Sequence, residues 1–122
     1  MSESWGPQCI VPSPLRRTYS GTVTLSESFD QDLLRQELVA NEMPTEVVRV
    51  NNSWYYRRIN CENWLAIGES DDRENGFSVE WDTSVIPNGR YEIIGLMQVV
   101  AQEGLSQKAI AHPNFVEVVV KN

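Results

Sequence analysis

The chain has 122 residues, the size of one domain, and is long enough to bury a core without help from a metal or a disulfide. Its composition, 41% hydrophobic and 22% charged with 7 glycines and 6 prolines, excludes a coiled coil, a collagen-like chain and a disordered tail. Seventeen acidic residues against ten basic ones leave a net charge of -7; only Arg16-Arg17 and Arg57-Arg58 pair positive charge, so neither nucleic acid nor an anionic membrane surface is expected as a partner.

Residues 1–18 read as an irregular, proline-rich lead-in that packs on the body. Pro7, Pro12 and Pro14 break regular structure, Trp5, Ile10, Val11 and Leu15 supply apolar contacts, and a short edge strand fits around Cys9–Val11. Thr22–Leu25 alternates and reads as a short strand after Gly21. The stretch 30–41 favours a short helix: Leu34 and Leu38 are four apart, Asp30 is a suitable cap and DLLRQELVA has good helix propensity. A strand with Leu34, Gln36 and Leu38 on one face is the rival reading, and it places a polar residue inside.

After Pro44 the apolar period becomes two. Glu46–Val50 and Ser53–Ile59 read as two strands with Asn51-Asn52 in the bend between them. Trp64–Ile67 follows, then an acidic loop, GESDDREN, and then Phe77, Val79 and Trp81 alternating with polar residues. Pro87-Asn88-Gly89 marks a turn. In the long strand after it, Tyr91, Ile93, Met97 and Val99 share one face, and Gly95 marks a bulge or a close approach. Residues 102–114, with Gly104 and Pro113, read as a connection to a last strand, Phe115–Val120. Seven or eight short strands separated by turn residues predict an all-β antiparallel sandwich or barrel.

Two cysteines, Cys9 and Cys61, allow one bridge, and nothing demands it. No basic start followed by an apolar run is visible at the N-terminus, so the expected compartment is the cytoplasm with free thiols; a secreted fragment would look the same. Asn51-Asn52-Ser53 matches the N-glycosylation triplet, which matters only in an exported protein.

No catalytic constellation stands out. His112, the single histidine, lies in AHPN, read as a loop with no nucleophile spaced around it. The cysteines and His112 lack the close ligand pair of a zinc site. The acidic cluster Glu69, Asp71, Asp72 and Glu74 lacks EF-hand spacing and reads as a solvated hairpin loop before it reads as a weak calcium site. No cofactor is expected. Eleven acidic residues follow Pro44, so a small carboxylate-based hydrolase is kept as a distant alternative.

Binding is the stronger expectation. WYYRR concentrates three rings and two guanidiniums in five residues, and Trp, Tyr and Arg dominate interface energetics. On a strand, Trp54, Tyr56 and Arg58 share one face and Tyr55 and Arg57 the other, with Trp64 able to join either. The candidate binding residues are therefore Trp54, Tyr55, Tyr56, Arg57, Arg58 and Trp64. The competing reading is a strand of high β propensity with snorkelling arginines.

The segment GESDDRENGFSVEWDTSVIPNGRYEIIG, residues 68–95, resembles the late-strand region of bacterial Ig-like and fibronectin type III-like domains. The matching residues are Phe77, Trp81, Asp82, Thr83, Asn88, Gly89 and Tyr91; WLAIG at 64–68 and GTVTL at 21–25 look like further strands of such modules. The resemblance implies an Ig-like sandwich over 19–122 that carries the lead-in 1–18. The helix-like stretch before Pro44 and the proline-rich start depart from that pattern. Such modules serve many roles, so the fold does not choose among them. The leading expectation is a noncatalytic module for protein–protein association, with a protein partner or a homo-oligomer. A carbohydrate-binding module using exposed rings is the alternative.

Overall fold

The computed structural model describes residues 18–27 and 31–122. The expected lead-in, the strand around Cys9–Val11, Arg16-Arg17 and the Asp30 cap lie outside the described residues, except that Thr18 opens the first strand. Seven strands and one helix follow in the order β1 (Thr18–Tyr19), β2 (Thr22–Leu25), α1 (Gln31–Ala40), β3 (Glu46–Arg58), β4 (Leu65–Ser70), β5 (Val79–Asp82), β6 (Gly89–Glu103) and β7 (Ser106–Val120). Five strands form one curled sheet in the order β1-β7-β6-β3-β4, and β2 and β5 form a separate antiparallel ribbon.

Among the described residues the chain is all-β in character with one helix, and the layer facing the five-stranded sheet is a two-stranded ribbon plus that helix. Alternation on β6 explains how the layers join. Tyr91, Ile93, Met97, Val99 and Ala101 turn inward and are buried. One half of this inner face packs under the ribbon, where Val23, Leu25 and Trp81 meet Tyr19, Trp54, Tyr91, Ile93, Val118 and Val120. The other half packs under α1, where Leu34 and Leu38 meet Val50, Phe77, Met97, Val99 and Ala101. The leucines four apart thus belong to a helix, as propensity favours, and the strand reading of this stretch is dropped.

Three expectations change. Glu46–Val50 and Ser53–Ile59 are one strand, because Asn51 and Asn52 stay in register with Gln98 and Met97 of β6 and do not bend. A register shift between Val47 and Arg49 inserts Val48 as a bulge, so that Val47 and Val50 both pack beneath α1. Residues 102–114 are not a loop: β6 and β7 meet in a tight hairpin whose two-residue turn is Gly104-Leu105, with Gly104 at φ 59° as a type II′ turn requires. Pro113 stands inside β7, where the only other strand neighbour among the described residues is β1 at Val119–Val120; proline is tolerated along such an edge. Phe77 is not part of a strand either. It takes φ 55° just before β5 and buries its ring under α1.

Candidate functional site

The continuous strand β3 divides the predicted binding residues between its two faces. Trp54, Tyr56 and Arg58 take the inner side. Trp54 is 0% exposed and donates its indole N–H to the carbonyl of Phe77 at 3.0 Å. Tyr56 stacks in an aromatic group, with ring centroids 5.1 Å from Trp81 and 6.1 Å from Tyr91. Arg58, at the end of the strand, donates to the carbonyl of Asn88 at 3.3 Å and has its guanidinium 6.0 Å from the Tyr91 ring. These three close the core and tie β3 to the turn before β6.

Tyr55, Arg57 and Trp64 come together on the outer side. Tyr55 lies in register with Ile94 of β6, which lies in register with Phe115 of β7. One step along, Arg57 lies beside Glu92, and its guanidinium pairs with that carboxylate at 2.8 Å. The Trp64 ring covers the same guanidinium at 4.4 Å and reaches Phe115, with centroids 6.3 Å apart and planes tilted by 49°. Phe115 is 53% exposed, and Leu65 beside Trp64 is exposed as well. An ion pair in this half-exposed setting contributes about 0–1 kcal/mol, so its effect is to orient Arg57 and Trp64 more than to hold the fold. Sequence reasoning missed Phe115, Ile94 and Glu92, which lie 34 to 57 residues beyond the end of β3 and enter only through strand register.

A second group, on the inner face, gave no signal in the sequence. Glu27, just after β2, is 3% exposed and lies over Gly95, where an added Cβ would collide with its carboxylate. Asn52 of β3 is 0% exposed; it and Asn114 of β7 flank the carboxyl, and their amides favour its charged form. Burial outweighs them and pushes Glu27 up to about 8. Neither Glu27 oxygen and neither polar atom of the Asn52 amide reaches a hydrogen bond of ordinary geometry among the described residues.

The remaining candidates have folding roles. Asp72 and Asp82 each accept from the backbone amide two residues on, that of Glu74 and that of Ser84, and so cap short 3-10 turns. Thr83 donates its hydroxyl to the carbonyl of Gly21 across the ribbon at 2.7 Å. His112, expected in a loop, is half-buried on β7 opposite Met97. Asn51, the glycosylation acceptor by pattern, is 7% exposed in mid-strand, and its amide donates to Glu69 at 3.4 Å. Cys61 is exposed and free. Among the described residues no three of His, Cys, Asp and Glu gather as metal ligands, and no helix is long and apolar enough to cross a membrane. An open cavity of about 280 Å³ lies beside α1, with Leu34 and Leu38 at its floor and Arg35 and Arg73 at its rim. No known protein family, curated protein or solved structure matches the chain.

Proposed function

We propose that the protein is a noncatalytic interaction module that associates with a protein partner, a second copy of itself included, through the outer face of β3, β6 and β7. The observation that carries this reading is the surface arrangement of half-buried Trp64 and Arg57 beside exposed Phe115. Large rings and an oriented guanidinium on a sheet surface have no share in the apolar core, and these residue types dominate binding energy at interfaces. The Ig-like kinship is part of the proposal. It is supported by the ribbon facing the sheet across an apolar layer, and by Tyr91, which lies near the start of β6 and donates its hydroxyl back to the carbonyl of Pro87 at 2.6 Å in the manner of a tyrosine corner.

The sugar-binding alternative has less support. It asks for Trp54, Tyr56 and Trp64 on one platform, whereas Trp54 is enclosed and Tyr56 stacks on Trp81.

The test compares the wild-type chain with a Trp64→Ala/Phe115→Ala variant, by sedimentation for self-association and by affinity capture with quantified titration of any recovered partner. The expected result is a loss of about 2 kcal/mol or more, some 30-fold in affinity, for whichever complex forms. Complexes that survive the double substitution at wild-type affinity would sink the outer-face reading.

A further inference from the structure

Glu27 lies at the seam between the two halves of the inner face, one covered by the ribbon and the other by α1. It is tied there from two sides. Its backbone N–H donates to the carbonyl of Gly76 at 2.7 Å, and its side chain occupies the space that Gly95 leaves open. Among the described residues the groups placed against it are neutral: Asn52 from β3 and Asn114 from β7 at its carboxyl, Gly95 of β6 beneath it, and Gly76 from the loop before β5 at its backbone. Among the described residues, the other titratable side chain on this stretch of the inner face is His112, two residues from Asn114 on β7. Among the described residues no cation pairs with the carboxylate, and an unpaired charge in such a place is expelled or neutralised.

We infer that Glu27 is a proton-dependent latch: with a proton on its carboxyl it seats over Gly95 between Asn52 and Asn114 and holds the end of β2 on the sheet, and without the proton it leaves that seat and lets the end of β2 lift. Lifting uncovers Asn52, Asn114 and the inner side of Gly95, a polar strip enclosed by the closed form. The latch acts on the inner face and is independent of the outer-face binding surface.

Hydrogen exchange of the full chain between pH 5 and 9, read by mass spectrometry against amides of the β6–β7 hairpin in the same sample, tests this. A single linked proton makes opening at 22–27 and 76–79 rise about tenfold per pH unit and level off above the pH at which the buried carboxyl ionises. The Glu27→Gln variant, which keeps the shape and cannot ionise, should stay protected throughout. Wild-type opening that does not change with pH overturns the latch. So does a Glu27→Gln variant that keeps the wild-type profile, because the proton then belongs to another group such as His112. Should that variant fail to fold, the Glu27 carboxyl ¹³C shift in the wild type decides. A midpoint near the pH where opening levels off supports the latch, and a midpoint in the ordinary carboxylate range, or titration with no change in exchange, overturns it.

Discussion

At Gly95 the inner face has no side chain, and a carboxyl from outside the sheet fills the gap. Alanine at this position would meet the Glu27 carboxylate and force it from its seat. Gly95→Ala should therefore cost about 1–3 kcal/mol in urea unfolding, the usual range for overpacking a filled site. Glu27 also gives stability a pH dependence of unusual sign for a carboxylate. Its ordinary value is 4.5, and in the folded chain it is pushed up to about 8, so the folded state keeps a proton that the unfolded state has lost between those values. The contribution is full below pH 4.5 and is lost as the pH rises through 8, at about 1.4 kcal/mol per pH unit at most. Urea unfolding at pH 5.5 and 7.5 should show the wild type weakening and Glu27→Gln holding level. No pattern in SES at 26–28 announces any of this, because a lone glutamate after a short strand reads as exposed. Its burial follows from Gly95 and Asn52, which are distant in sequence.

At the scale of elements, α1 covers its half of the sheet through Leu34 and Leu38. Leu38→Ala should cost about 2–5 kcal/mol, as large-to-small changes in cores do, while the exposed Val39→Ala should change stability by less than about 0.5 kcal/mol. The helix was legible because helical spacing, propensity and the stop at Pro44 agree. The length of β3 and β7 was not. Asn51-Asn52 reads as a bend and Pro113 as a break under local rules, yet both stretches lie in register with β6 along most of its length. Partner strands override such local preferences where side chains pack well across the ladder.

For the whole molecule, β3, β6 and β7 run through both apolar groups, so neither half can lose its share of these strands without disturbing the other. Thermal unfolding should be a single transition, with tryptophan fluorescence and far-UV circular dichroism coincident. The same sheet separates core rings from surface rings. Trp54→Ala should cost about 3–5 kcal/mol, and Trp64→Ala less than about 1 kcal/mol, by chemical denaturation. A comparable loss at both would mean that Trp64 is part of the core and not available to a partner.

The sequence by itself determined the β class, a short helix within 30–41 and which residues of Ser53–Ile59 and of the strand after Gly89 share a face. Strand alternation settles which residues share a side: Tyr55 with Arg57, and Trp54 with Tyr56 and Arg58. It does not settle which side is inward. That was decided by the layer that covers it, here β2, β5 and α1, brought over the sheet from other parts of the chain. The joining of Trp64 and Phe115 over Arg57, and the seating of Glu27 on Gly95, belong to the tertiary structure alone, since each brings together residues 51 to 68 positions apart. Local periodicity carries no information at that range.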